Sequence, residues 1–215
     1  MNLQKPSIFA ITLLVYQSTI LAILYIFNIS PLCSVHIMLF LKVYIPLLLL
    51  GFFATIRVMA TTKKNINEGV MFLYGLSATL IGACIYHVFA VLLGAAFTEG
   101  LEETFSFSCL CATLTIFPLF IVHETQWEEF VNYLPDSLDP KISLHDAIKT
   151  TSFFTVAGAW VGAFPIPLDW DRDWQTWPIT CCFGAISGNL IGLFYVIIVS
   201  SNYFERIMFW KRKVT

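Results

Sequence analysis

Charged residues are scarce in this chain. Only 12% of its 215 residues are Asp, Glu, Lys or Arg, about half the share in an average soluble domain, whereas 58% are hydrophobic. A chain so poor in charge has no polar shell with which to cover its apolar surface in water. The composition therefore excludes an ordinary soluble globular protein. The net charge of −2 also argues against a nucleic-acid partner, because no extended basic face is present.

Patterns typical of metal sites and catalytic centres are also missing. Most of the six cysteines fall inside apolar runs, and the spacing of Cys109 and Cys111 directs their thiols to different faces of a helix. There is no Ser/His/Asp order and no Gly-rich phosphate loop. We therefore expect no catalytic residue, no metal and no cofactor.

Long apolar runs dominate what is present. A helix needs about 20 mostly apolar residues to cross the hydrocarbon core of a bilayer. Six runs meet this length, over residues 8–29, 35–58, 70–97, 104–122, 150–168 and 177–200. They predict an all-α fold, a polytopic membrane protein in which residues 1–215 form a single bundle of six transmembrane helices.

Lysine and arginine are distributed unevenly between alternate loops. Basic loops stay in the cytosol, whereas acidic residues carry little topological weight. With the N-terminus inside, ten basic residues lie on the cytosolic side, Arg172 lies on the outer side, and Lys42 lies within the second run. This distribution predicts that both termini are cytosolic.

The last five residues include two lysines, Lys211 and Lys213, at the fifth and third positions from the end of the chain. This spacing resembles the dilysine retrieval signal of endoplasmic reticulum membrane proteins, which is an address read by a receptor. The alternative is an ordinary cytosolic cluster of positive charge.

Glycines recur at every fourth position in the last two apolar runs. They are Gly158 and Gly162 in the fifth run and Gly184, Gly188 and Gly192 in the sixth. Small residues at this spacing let helix backbones approach closely in lipid. The stripes predict either a contact between these two helices or a groove for the helix of a partner, and we assign them to partner binding.

The segment between those runs combines prolines, tryptophans and acidic residues. The prolines end the fifth helix, and the tryptophans suit the headgroup layer of the membrane. Three alternating aspartates could hold Mg²⁺ or Ca²⁺, but the arginine among them favours a structural role. We assign the segment to partner binding through Pro165, Pro167, Asp169, Trp170, Arg172, Trp174 and Trp177.

Two ionisable residues lie inside apolar runs, Lys42 and His87. An ionisable group within a membrane is a functional hypothesis by default. Together with Glu102 and Glu103 they are candidates for a polar cavity or a lipid site. The alternative is that Lys42 extends its long stem toward the headgroups and that His87 forms a hydrogen bond with a neighbouring helix.

The sequence resembles a known family at Val161–Arg172 and again at Trp174–Ile179, with a weaker similarity at Tyr86–Val88, Gly94–Ala95 and Glu103–Phe105. The family is PIG-F, which acts in the biosynthesis of glycosylphosphatidylinositol (GPI) anchors. The chain departs from the family pattern at Asp173, where a proline is expected.

The resemblance implies a non-catalytic, multi-pass subunit in the endoplasmic reticulum membrane. Such a subunit binds and stabilises the large multi-pass enzymes that transfer ethanolamine phosphate to GPI mannoses, and it also contacts membrane lipids. The rival hypothesis is an intramembrane lipid-modifying enzyme or lipid transporter that uses His87, Lys42 and the outer acids around one cavity.

Overall fold

The computed structural model describes residues 5–27, 37–59, 67–123, 144–168, 170 and 172–214, with the backbone alone for Lys5, Met59 and residues 202–214. The described residues form six α-helices and one short 3₁₀ helix. The α-helices are α1 (Lys5–Ile26), α2 (Ile37–Met59), α3 (Glu68–Leu92), α4 (Leu101–His123), α5 (Leu144–Val161) and α6 (Ile179–Val214), and the 3₁₀ helix is Asp173–Gln175.

Five of these helices are long and apolar enough to cross a membrane. They correspond to Pro6–Ile26, Ile37–Val58, Glu68–Leu92, Leu101–Val122 and Ile179–Ser201. α5 falls outside this group because its 18 residues include His145, Asp146 and Lys149 in the first two turns. The all-α prediction is thus confirmed for the described residues as a helical membrane protein, and the six-span topology with cytosolic termini stays a prediction.

The ends of α3 and α5 differ from the predicted bounds. α3 ends at Leu92 instead of residue 97, because Gly94 takes a positive φ of 114° and its N–H turns back to the carbonyl of Val91. α5 runs from Leu144 to Val161 instead of over 150–168, and residues 162–167 form turns. At these two ends apolar composition continues past the helix, so hydropathy overestimates where the helix ends. The opposite holds at the start of α5 and at the end of α6, which runs to Val214 instead of residue 200, because both helices continue through polar residues.

α4 lies at the centre of the bundle. It packs against α2, α3, α5 and α6. In its most apolar stretch 67% of the residues are buried, compared with 28% to 44% in the other four candidate spans. α3 packs chiefly on α4, whereas α1 lies between α2 and α6. The most peripheral helix is therefore α3, and α4 organises the others around it.

A chain of buried polar side chains connects α1, α6 and α5. The amide of Gln17 donates to Asn189 Oδ1 at 3.0 Å, and the amide of Asn189 donates to Thr155 Oγ1 at 2.9 Å. All three side chains are fully buried. Because lipid offers no alternative partners for these groups, the network specifies how the three helices meet.

Candidate functional site

The glycines of α5 and α6 lie at the contact between these two helices. A Cβ atom added to Gly158 would overlap the backbone carbonyl of Gly184 and lie 2.9 Å from the Cα of Gly188. One added to Gly162 would overlap the carbonyl of Thr180. The atoms in the way belong to backbone, so the two helices touch without side chains between them.

The second glycine stripe faces the same contact. A Cβ on Gly188 would overlap the carbonyl of Phe154, and one on Gly192 would lie 2.9 Å from the Cα of Thr151. The structure thus uses the five glycines for the α5–α6 contact, the first of the two alternatives that the spacing predicts. Their assignment to partner binding stays untested, and a partner has to be accommodated elsewhere while this contact is closed.

Gln175 holds together the outer segment, residues 162–178, which connects α5 to α6. Its amide donates to the carbonyls of Pro165 at 2.8 Å and Leu168 at 2.7 Å, and its Oε1 accepts the N–H of Arg172 at 3.0 Å. The side chain is only 9% exposed. One glutamine therefore closes a turn-rich segment whose prolines cannot supply backbone donors.

A tryptophan anchors the same segment to α4. Trp177 donates its indole N–H to Thr104 Oγ1 at 2.9 Å, and its ring packs edge-on against Phe107 with centroids 5.3 Å apart. Thr104 is fully buried, and the hydroxyl of Ser108 donates to its carbonyl. Trp177 thus serves as an internal anchor within this chain.

Other aromatic residues near the outer segment remain accessible. Trp170 is 56% exposed and lies 6.0 Å from the half-buried ring of Trp174. Trp160 and Phe164 are 61% and 58% exposed and pack edge-on at 5.1 Å. Pro167 and Arg172 are exposed as well, Pro165 is half-buried, and the predicted Asp169 lies outside the described residues. We call Trp160, Phe164 and Trp170 the outer aromatic surface.

The residues predicted to form a polar cavity or lipid site are only partly brought together. Lys42 Nζ lies 2.9 Å from Glu102 Oε1, and both side chains are about two-thirds exposed. The ring of His87 packs against Phe105 at 6.1 Å, and its Nδ1 is buried without a hydrogen-bond partner among the described residues. Glu103 is half-buried. Lys42 and Glu102 thus form one exposed ion pair, and His87 lies in an aromatic environment.

The two C-terminal lysines fall on the helical backbone of α6, which extends to Val214. Their side chains lie outside the described residues, so the retrieval signal stays a prediction.

Three structurally important polar residues were missed at the sequence level, namely Gln17, Asn189 and Gln175. Gln17 and Asn189 are amide side chains inside apolar runs. Because amides in lipid need hydrogen-bond partners on other helices, their position alone could have indicated a contact between helices. The role of Gln175 depends on turns that the sequence does not display.

The fold and these contacts define a helical membrane protein in which α5 and α6 pack through glycines and Gln175 and Trp177 hold the outer segment in place. The model of the GPI biosynthesis protein family Pig-F matches residues 8–197, and the chain belongs to this family. The family assignment made from the outer segment is thereby confirmed. No solved structure matches the chain.

Curated relatives carry names from the same pathway. The chain is 34% identical over 154 residues to glycosylphosphatidylinositol anchor biosynthesis protein 11 of Debaryomyces hansenii, an alignment that covers 69% of this chain and 65% of the relative. It is 33% identical over 134 residues to the GPI ethanolamine phosphate transferase, stabilizing subunit, of Mus musculus and equally to that of Homo sapiens. These two alignments cover 62% of this chain and 57% of each relative.

Proposed function

We propose that this protein is a non-catalytic accessory subunit that binds and stabilises GPI ethanolamine phosphate transferases in the endoplasmic reticulum membrane. In this role it supports the transfer of ethanolamine phosphate to GPI mannoses. The observation that carries the proposal is the family match over residues 8–197, together with mouse and human relatives that are named as stabilising subunits of this transferase. The large multi-pass transferase is the proposed partner, and no cofactor is part of the proposal.

The proposal includes six membrane spans with both termini in the cytosol. It rests on the ten basic residues on one side against Arg172 on the other. A topology reporter inserted between Lys63 and Asn67 is expected in the cytosol, and one inserted after Arg172 in the lumen. Two reporters on the same side would contradict this orientation.

The contact with the transferase is proposed at the outer segment and the outer aromatic surface. The glycine stripes are closed by the α5–α6 contact, whereas Trp160, Phe164 and Trp170 are each more than half exposed. Large aromatic side chains are the residues that most often dominate binding energy at an interface. Gln175 and Trp177 hold the segment in one shape, which lowers the entropy lost on binding.

The rival function, a lipid-modifying enzyme or transporter, requires Lys42, His87, Glu102 and Glu103 to act on one substrate. Within the described residues Lys42 and Glu102 already neutralise each other, and His87 contacts an aromatic ring. This arrangement favours structural roles for these groups. Turnover of ethanolamine phosphate, or movement of a lipid, by the purified chain alone would support the rival and refute the accessory role.

The partner contact is tested by co-purification of the tagged chain with the transferase. Trp170→Ala is expected to lower recovery of the transferase at least tenfold, since loss of an aromatic anchor costs about 2–4 kcal/mol and each 1.4 kcal/mol corresponds to a factor of ten. Phe89→Ala is the matched control, because Phe89 is equally exposed but lies on α3. Equal recovery with both variants would place the interface elsewhere.

A further inference from the structure

The turn between α3 and α4 exposes large apolar side chains outside the candidate membrane spans. One span ends at Leu92 and the next begins at Leu101, so residues 93–100 lie between them. Leu93 is 78% exposed and Phe97 is 75% exposed, which makes both more accessible than any residue of the outer aromatic surface. Apolar side chains that stay exposed outside lipid are typical of a contact with another molecule.

This turn lies at the same end of the bundle as the outer segment. Trp177 of the outer segment donates to Thr104, which lies one turn inside α4. The ion pair of Lys42 and Glu102, also at the beginning of α4, is about two-thirds exposed. Charged groups of this kind need water or lipid headgroups around them. The turn that leads into α4 is therefore at the membrane surface and not within the hydrocarbon core.

Backbone hydrogen bonds fix the shape of the turn. The N–H of Gly94 donates to the carbonyl of Val91, and the N–H of Ala95 donates to the carbonyl of Ala90, both at 3.0 Å. This pair of bonds is a Schellman motif, and the φ of 114° at Gly94 is the conformation that the motif requires. Directly before α4, Gly100 takes a φ of 67°. A surface held in one conformation loses little entropy when it binds.

Three glutamates follow these apolar residues in the chain, namely Glu99, Glu102 and Glu103. Lys42 pairs with Glu102, and the dipole of α4 stabilises Glu102 and Glu103 in its first turn. Glu99 precedes the helix, is exposed, and forms no hydrogen bond or ion pair within the described part of the chain. Contacts inside this protein therefore account for Glu102 and Glu103 but give Glu99 no role.

The sign of this charge distinguishes a lipid surface from a protein surface as the partner of the turn. Segments that dip into the headgroup layer usually carry Lys and Arg, which attract the phosphate groups of lipids. The glutamates beside Leu93 and Phe97 repel phosphate instead. They complement a protein surface on which Lys or Arg lies beside an apolar side chain.

From these observations we propose that the α3–α4 turn is a docking surface for a segment of the transferase that carries Lys or Arg next to an apolar side chain. Leu93 and Phe97 supply the apolar contact, and Glu99 supplies the charge that selects a basic segment. The inference rests on the proposed function, because it names a second contact with the same partner. It also specifies the chemistry of the partner segment, which the outer aromatic surface does not.

The first test places a photoreactive benzophenone analogue of phenylalanine at position 97 of the full tagged chain, expressed together with the transferase. After irradiation of the membranes, the cross-linked peptide is identified by mass spectrometry. It should come from the transferase, lie outside its membrane spans and contain Lys or Arg.

The same analogue at position 27 is the matched control. Phe27 is 71% exposed just beyond the end of α1, but no Asp, Glu, Lys or Arg lies between Lys5 and Lys42. Position 27 should therefore give much less cross-linked transferase. A cross-link from position 97 to lipid alone, a cross-linked peptide without a basic residue, or equal yields at both positions would overturn the proposal.

The second test changes the charge and measures recovery of the transferase with the tagged chain at low salt. Glu99→Gln should lower recovery about two- to fivefold, and Glu99→Lys should lower it about tenfold or more because it places like charges together. The melting temperature of the chain alone should stay unchanged in both variants, since Glu99 has no partner within the described chain. Replacing the cross-linked Lys or Arg of the transferase by Glu should restore recovery with Glu99→Lys.

The outcomes separate this contact from the proposed function. If the wild-type chain recovers the transferase and neither Glu99→Lys nor Phe97→Ala lowers that recovery, the docking surface is refuted and the accessory role stands. Failure of the charge exchange to restore recovery would also refute the docking surface alone. If the wild-type chain recovers no transferase, the proposed function is refuted and this inference with it.

Discussion

Adding one methyl group to a glycine should have consequences of different size at two places in this bundle. At Gly184 a Cβ would overlap the carbonyl of Gly158 and lie 3.1 Å from the Cα of Gly162. At Gly75 the nearest atoms are the Cδ1 of Ile121 at 2.7 Å and the ring of Phe117 at 3.0 Å. The first set of atoms is backbone, which moves only if a whole helix moves, whereas the second set consists of ends of side chains.

The magnitude follows from these distances. Carbon atoms pack best at about 3.5–4.0 Å, so Gly184→Ala requires α5 and α6 to separate by roughly 1 Å, which weakens contacts along the whole pair. Overpacking of this kind costs about 1–3 kcal/mol, against which the better helix propensity of alanine returns up to about 1 kcal/mol. We expect Gly184→Ala to lower the free energy of unfolding by about 1–2 kcal/mol and Gly75→Ala to change it by less than about 0.5 kcal/mol.

The assay is reversible unfolding of the purified protein in mixed micelles of a mild detergent and dodecyl sulfate. Both variants replace glycine by alanine within a helix, so propensity cancels in the comparison and the difference reports the nature of the neighbouring atoms. A Gly75→Ala variant that loses as much stability as Gly184→Ala would refute the reasoning. So would a neutral Gly184→Ala, because backbone contact between α5 and α6 would then be absent.

Three further predictions concern polar residues. Asn189→Leu removes both hydrogen bonds that join α1 to α5 through α6 and should lower the free energy of unfolding by about 1–3 kcal/mol in the same assay. No loss of stability would show that the network is not formed. Gln175→Leu should make the outer segment sensitive to added protease without lowering the melting temperature by more than a few degrees, and Gln175→Glu should be intermediate because it can still accept the N–H of Arg172. Replacing Lys211 and Lys213 by serine should let a fraction of the chain, expressed without its partner, reach later compartments by microscopy, and unchanged location would contradict the retrieval signal.

Composition and periodicity were sufficient for the class of protein and for several local features. Hydropathy predicts each candidate span because the energy of placing a residue in lipid depends mainly on that residue alone. The four-residue spacing of Gly158, Gly162 and the glycines of α6 predicts a close helix contact for a similarly local reason. The dense similarity around the outer segment was enough to place the chain in its family.

The tertiary structure decided which groups meet. Spacing alone left open whether the glycines face another helix of this chain or a partner, and only the arrangement of α5 against α6 shows the internal contact. The pairing of Lys42 with Glu102 and of Gln17 with Asn189 joins residues far apart in the sequence. The free energy of inserting a helix into lipid is approximately a sum over its single residues. Contacts between helices depend on pairs of residues that the whole bundle brings together, and the linear sequence pattern does not specify those pairs.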